Sequence, residues 1–313
     1  MTDHVILGKG QIGSTVASIL AARGERVRVL SRSGGPDLPG IEHIKVDARD
    51  AAALTAAAKG ADVIYNCANP AGYHQWADEW PPMFAAILAA AKNNGAGLVN
   101  TGNLYVYGPV TEPMTERTPL NSPGHKGRIR IRMWNDAMAL HRSGDIRFTE
   151  ARGSDYFGPG ALADAMLGER VVRPVVEGKG VTVFGDPDAP HTFTYIPDVA
   201  RALIRLGGDD RAWGRPWHVP SAPAASQREM VQAMARLLGR GPVRVTRLPW
   251  WLLIHVVGAF APAMKGMTET RHQWDGPYIM ESGEFTDTFG DEPTDTDTAL
   301  AETLDWWRAR LAR

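Results

Sequence analysis

The chain predicts an α/β architecture: a doubly wound parallel sheet with helices on both faces, followed by a smaller C-terminal lobe. Three observations carry that expectation. Short β-rich runs alternate with helical patterns through the first half of the 313 residues, which is the signature of successive βαβ units. A glycine-rich turn joins the first of these runs to the first helical pattern. Beyond residue 150 the alternation gives way to stretches rich in glycine, proline and aspartate, such as 153–160 and 178–190.

The elements follow in order. Residues 4–7 read as a strand and 11–23 as a helix; 26–30 and 42–46 read as strands, 51–59 as a helix and 63–67 as a strand. Residues 81–94 carry a helical pattern that places Pro81 and Pro82 in its first turn, where a missing N–H breaks no ladder bond. A strand at 98–101, a long helix at 127–143 and a strand at 146–150 complete the sheet. In the second half, 197–206 and 227–238 read as helices and 216–219 and 243–247 as strands; a last helix at 298–311 starts behind the capping run Asp295-Thr296-Asp297. The expected division is a sheet domain of residues 1–157 plus 191–219 and a discontinuous lobe of 158–190 plus 220–313.

Composition narrows the partners. The 34 basic and 35 acidic side chains nearly cancel, so no basic excess points to nucleic acid. One cysteine, Cys67, allows no intrachain disulfide and fits a reducing, cytoplasmic setting. Asp3 and His4 precede a short apolar run that stops at Gly8, unlike a secretory leader. The apolar stretch 248–264 contains Pro249, Gly258 and Pro262 and falls short of the roughly 20 residues that span a bilayer. It reads as a buried or surface-docking helix without stable membrane insertion, and its aromatic run could instead seat a second copy in a homodimer.

Gly8-Lys9-Gly10-Gln11-Ile12-Gly13 has the spacing G-x-G-x-x-G between strand and helix. One glycine permits the tight turn, one lets the backbone approach a pyrophosphate, and the third allows helix and strand to pack closely. The helix N-terminus then offers free N–H groups to the phosphates. The turn therefore predicts a nicotinamide dinucleotide and a core of the Rossmann type, with an ordinary tight turn as the alternative. The end of the second strand selects between cofactors. NAD binders place an acid there for the ribose 2′-hydroxyl, whereas NADP binders offer a cation to the 2′-phosphate. Here the residues are Ser31-Arg32-Ser33, with Lys9 as a second cation. NADP is expected ahead of NAD, unless Arg32 is simply a solvated loop residue.

Further motifs appear in a fixed order: Val46-Asp47-Ala48-Arg49-Asp50, Asn66-Cys67-Ala68, Tyr105-Val106-Tyr107-Gly108, Thr115-Glu116-Arg117-Thr118-Pro119, Tyr156-Phe157-Gly158-Pro159-Gly160 after Arg152, and Phe193-Thr194-Tyr195-Ile196-Pro197-Asp198-Val199-Ala200. Together they resemble the extended and atypical short-chain dehydrogenase/reductases, the NAD-dependent epimerase/dehydratase family, over nearly the whole chain. The resemblance implies that Asp47 and Ala48 face adenine, and that Asn66, Cys67 and Ala68 line the cofactor with Thr101. It also implies an oxidoreductase or epimerase-like activity on a small organic substrate.

That family works with a Ser/Thr and a Tyr-x-x-x-Lys pair, and here the pattern departs. The serine position falls on Asn103, and the segment Ser122-Pro123-Gly124-His125-Lys126-Gly127-Arg128-Ile129-Arg130 contains no tyrosine. Counting from Glu116 places Lys126 and Arg130 at the Tyr and Lys positions; counting from Ser-Pro places Gly124 and Arg128 there. Arginine stays protonated and shuttles protons poorly, but it can hold a ribose or polarise an oxyanion. Lys126 could act as the acid if desolvated among arginines, or be a solvated lysine on a basic helix face. Asn103 could bond a substrate carbonyl or cap a turn. Tyr105 or Tyr107 could replace the acid or pack. Asp155 and Tyr156, past the sixth sheet strand, are candidate substrate contacts, with an Asx turn as the alternative for Asp155. Trp76 and Trp80 could wall the cleft, and His74, His125 and His191 could border it. No His or Cys spacing suits a metal, and Cys67 reads as a buried small residue. The missing tyrosine also leaves a rival reading, a catalytically silent NADP-binding redox sensor or regulatory partner.

Overall fold

A computed structural model describes residues 1–70, 72–162, 165–252 and 268–312. In chain order the elements are β1 (Asp3–Leu7), α1 (Gln11–Ala22), β2 (Arg26–Ser31), β3 (Ile41–Lys45), α2 (Ala51–Ala57), β4 (Val63–Asn66), α3 (Trp76–Asn94), β5 (Gly97–Asn103), α4 (His125–Arg142) and β6 (Arg147–Gly153). They continue with β7 (Asp155–Phe157), α5 (Glu169–Glu177), β8 (Val181–Phe184), β9 (Phe193–Tyr195), α6 (Ile196–Gly207), β10 (Pro216–His218), α7 (Gln227–Leu237), β11 (Val245–Leu248), α8 (His272–Asp275), α9 (Gly283–Phe289) and α10 (Thr296–Leu311).

Seven strands form one sheet in the order β10-β6-β5-β4-β1-β2-β3. β1 pairs in parallel with β2 and β4, β2 with β3, and β4 with β5. β1 is buried at every position, and so is β4, as interior strands of a parallel sheet covered on both faces must be. Strand order reverses between β1 and β4, and the carboxyl ends of those two strands flank the crevice where such sheets bind ligands. The expected doubly wound fold is the fold observed.

The chain divides into two compact units. The first comprises Met1–Val106, His125–Arg152 and Val199–Trp217, with a core that includes Val5, Leu30, Ile64, Phe84, Ile87, Leu98 and Phe148. The second comprises Tyr107–Gly124, Gly153–Asp198 and His218–Arg313, built around Val172, Val175, Val231, Leu300 and Trp307. The expected division differs at 107–124, 153–157, 191–198 and 218–219, all of which fall in the second unit: Met114 N donates to Ile279 O, and β7 and β9 pair with each other.

Two local differences have physical causes. α3 starts at Trp76, about a turn and a half before Pro81, so both prolines lie inside the helix rather than in its first turn. Pro81 cannot bond the Ala77 carbonyl. Burial of Trp76 and Trp80, which meet edge-to-face at 6.1 Å, and Asp78 and Glu79 in the first turn favour the earlier start. The glycine- and proline-rich second half also holds α5 and short strands β7, β8 and β9, which the sequence pattern did not reveal. Of the apolar stretch 248–264, residues 253–264 lie outside the described residues. Trp250 is buried and Trp251 is 63% exposed. Among the described residues, no helix is long and apolar enough to cross a membrane.

Candidate functional site

The glycine turn has the geometry its spacing requires. Gly8 sits at φ +95°, a conformation that side chains rarely adopt, and its N–H donates to Leu30 O at 2.9 Å. A Cβ on Gly13 would lie 2.0 Å from the Gly8 carbonyl oxygen, so helix and turn touch there. A Cβ on Gly10 would meet nothing within 4 Å. Gly10 is the N-cap of α1, has no side chain to satisfy the helix N–H groups, and is followed by no acid in the first turn. Gln11 and Ile12 open the helix. Open space in front of bare N–H donors fits a pyrophosphate.

At the end of β2, Ser31 is half-buried and Arg32 and Ser33 are exposed. Lys9 Nζ donates to Gly34 O at 2.6 Å, which draws the glycine turn and the β2 loop together. After β3, the carboxylate of Asp47 accepts three bonds from the Arg49 guanidinium, at 2.7, 3.0 and 3.2 Å. Those bonds hold its pKa down at about 2. Ala48 beside it is half-buried.

Past β4 the turn Asn66-Cys67-Ala68 packs directly against Gly8, whose Cβ would come within 2.9 Å of Cys67 O. Asn66 is buried and its Oδ1 accepts from Ala68 N at 3.2 Å. Thr101 Oγ1 donates to Cys67 Sγ at 3.7 Å. Burial pushes the Cys67 thiol up to about 12, so at neutral pH it is neither thiolate nor nucleophile.

Four residues apart, Lys126 and Arg130 share one face of α4. They are 3% and 6% exposed, while Arg128 is exposed. Lys126 Nζ stands 4.5 Å from the Tyr73 ring centroid. The Arg130 guanidinium lies 4.4 Å from Trp80 and 4.8 Å from Trp76, and Arg130 Nη2 donates to Asn69 Oδ1 at 3.4 Å. The Tyr73 and Tyr105 hydroxyls are 2.7 Å apart. Two cations are thus packed among four aromatic rings, an arrangement in which cation–π attraction offsets part of the loss of water. Asn103 Oδ1 accepts from Tyr105 N at 3.1 Å, which shapes the turn after β5. The sequence singled out Trp76, Trp80, Tyr105, Lys126 and Arg130, but not Tyr73; its place directly after Gly72 in a loop gave no signal.

The second unit holds the other candidates. Tyr107 is buried, and its hydroxyl hydrogen-bonds His218 Nε2 at 2.7 Å. Asp155 Oδ2 lies 2.8 Å from His191 Nε2, with the imidazole almost wholly buried and the carboxylate 23% exposed. Tyr156 is half-buried. The Asp155–His191 pairing joins residues 36 apart in sequence, a link no local pattern shows. Among the described residues, no three His, Cys, Asp or Glu side chains gather to hold a metal ion.

Sheet order, switch point and glycine turn define a nucleotide-binding α/β protein of the Rossmann type. The profile of the NAD dependent epimerase/dehydratase family matches residues 5–216, and the chain belongs to that family. A Bacillus subtilis (strain 168) relative, the uncharacterized UDP-glucose epimerase YtcB, is 24% identical over 196 residues; the match spans 60% of this chain and 62% of that protein, less than two thirds of its length. Among solved structures, dTDP-glucose 4,6-dehydratase from Bacillus anthracis str. Ames in complex with NAD superposes with a TM-score of 0.81 at 18% identity, covering 100% of this chain and 98% of that one. MoeE5 in complex with UDP-glucuronic acid and NAD does so at 0.79 and 20% identity, covering 98% and 99%.

Proposed function

We propose that the chain is an NADP-dependent oxidoreductase or epimerase/dehydratase that acts on a small organic substrate, with a nucleotide-activated sugar as the leading class. The observation that carries the catalytic part is the joint burial of Lys126 and Arg130 on one face of α4, with Arg128 turned outward. That face supports the register in which Lys126 stands where the family has its tyrosine. The ammonium of Lys126 has three N–H donors, and it is the candidate to pass a proton to or from a substrate oxygen. Arg130 keeps its charge and, seated on Trp76 and Trp80, serves as a fixed cation for a ribose hydroxyl or an oxyanion. Asn103, its side-chain oxygen held by Tyr105 N, shapes the strand end. Tyr107, engaged with His218, is assigned packing. Asp155 and Tyr156 are the proposed substrate contacts of the second unit.

When bound, the dinucleotide supplies or accepts hydride at C4 of its nicotinamide. Gly10 leaves room for its pyrophosphate beside the turn that Gly8 and Gly13 permit, and Asp47 and Ala48 flank its adenine. Arg32, with Ser31, Ser33 and Lys9, meets the 2′-phosphate. NAD is the rival cofactor, favoured by the complexes named above; the absence of an acid at 31–33 favours NADP. The sugar-nucleotide class rests on the names of the relatives.

The test is NADPH oxidation, or NADP reduction, with aldehydes and ketones, together with product analysis of UDP- and dTDP-sugars, because epimerisation and dehydration return the hydride and leave the dinucleotide unchanged overall. Lys126→Ala is expected to abolish turnover and leave NADPH affinity within about twofold, since only a bond to the reacting oxygen is lost; unchanged turnover would exclude Lys126. The second reading, a silent NADP-binding sensor, is favoured by the lack of a tyrosine at 126 and predicts tight NADPH binding with no turnover on any of these compounds.

A further inference from the structure

We infer that Glu150 on β6 is a positioning residue for the cofactor turn after β4, acting through Asn100 and Asn66. This rests on the cofactor site proposed above. Four side chains, each no more than 3% exposed, run in line across β6, β5 and β4. Arg152 Nε donates to Glu150 Oε1 at 2.7 Å, and Asn100 Nδ2 donates to Glu150 Oε2 at 2.7 Å. Asn66 Nδ2 donates to Asn100 Oδ1 at 2.7 Å, and Ala68 N donates to Asn66 Oδ1 at 3.2 Å.

The direction of every bond follows from the first. A carboxylate only accepts, so Asn100 must turn its Nδ2 toward Glu150; its Oδ1 then faces Asn66 and can only accept. Asn66 must in turn present Nδ2 to Asn100, which leaves its Oδ1 facing Ala68 N–H. The polarity of one carboxylate thereby sets the amide orientation two strands away, in the turn that packs on Gly8. Space for that carboxylate is kept by Gly102, where a Cβ would lie 2.8 Å from Glu150 Cδ. Stability alone is weak ground for burying this ion pair, because apolar residues of similar size in such places are often as stable or more so. Fixing the turn that walls the dinucleotide is a use that apolar residues could not serve.

The test compares parent, Glu150→Gln, Asn66→Ser and the double variant by NADPH titration, by melting temperature and by hydrogen exchange of the Ala68 amide. Glu150→Gln keeps the size but offers Arg152 and Asn100 an amide in place of a carboxylate. It is expected to weaken NADPH about tenfold and to speed Ala68 exchange. The double variant is expected to do no worse than the stronger single, because both cut the same chain of bonds. A lower melting temperature with NADPH affinity and Ala68 exchange unchanged would overturn the inference, and so would additive losses. Where Glu150→Gln does not fold, Asn100→Ser, which keeps the ion pair, answers the same question. If the parent binds neither NADPH nor NADH, the cofactor reading fails, and Ala68 exchange still decides the relay.

Discussion

Replacing Gly10 by alanine separates the space the protein needs from the space a ligand needs. At φ −69° and ψ −177°, Gly10 occupies backbone that alanine adopts without strain, and its Cβ would touch no protein atom within 4 Å. Losing a glycine from the unfolded chain and a glycine from an N-cap act in opposite directions, so folding stability should move by no more than about 1 kcal/mol. The same methyl would stand where the pyrophosphate approaches the N–H groups of α1. Displacing one charge-assisted hydrogen bond costs about 1.5–3 kcal/mol, roughly 10- to 100-fold in dissociation constant. Gly13→Ala is the counterpart. Its Cβ would lie 2.0 Å from Gly8 O and 3.2 Å from Ile6 Cγ2, so it should destabilise the fold by about 1–3 kcal/mol and lose binding along with stability. Melting curves and calorimetric NADPH titration of both variants read the two quantities separately. If Gly10→Ala binds like the parent, or melts as low as Gly13→Ala, the reasoning about this turn is wrong.

Arg32→Ala should weaken NADPH by about tenfold or more while changing NADH little, since only the 2′-phosphate loses a partner; equal losses in parallel titrations would remove that role. Burial lowers the His4 pKa below its ordinary value, so the unfolded chain binds more protons than the folded one in mildly acidic solution. The contribution of His4 is therefore complete above about pH 6.5 and lost as pH falls through the folded-state value. Urea unfolding at pH 7.5 and 5.5 should show a smaller pH dependence in His4→Gln than in the parent, and an identical dependence would contradict it. Cys67, half-buried rather than buried as expected and raised to about 12, should react slowly with a thiol reagent at pH 8, because little of it is thiolate. Labelling of the folded protein at the rate of an unperturbed thiol would contradict it.

Local pattern made much of the first unit legible. The glycine spacing of 8–13, the buried runs of β1 and β4, and the i, i+4 relation of Lys126 and Arg130 all follow from residues close in sequence. α3 shows the limit of such reading. Proline preference argues for a start near Pro81, and the observed start at Trp76 depends on where two tryptophans are buried, which is tertiary information. The second unit was harder because its strands β7 and β9 are each three residues long and exist through one another. Pro174 inside α5 conceals a helix whose valines pack on the core. The polar links were invisible for the same reason: Tyr107 to His218 spans 111 residues, and Asn100 to Glu150 spans 50. Residue types suggested candidates, and the fold alone paired them.

The proposed function rests on the glycine turn of the first unit holding a nicotinamide dinucleotide, with Arg32 proposed as the partner of a 2′-phosphate. Calorimetric titration of the intact protein with NADPH and with NADH tests it most directly. Saturable binding of both, with NADPH the tighter, is the result expected from Gly8–Gly13 and Arg32; no binding of either would contradict the site itself.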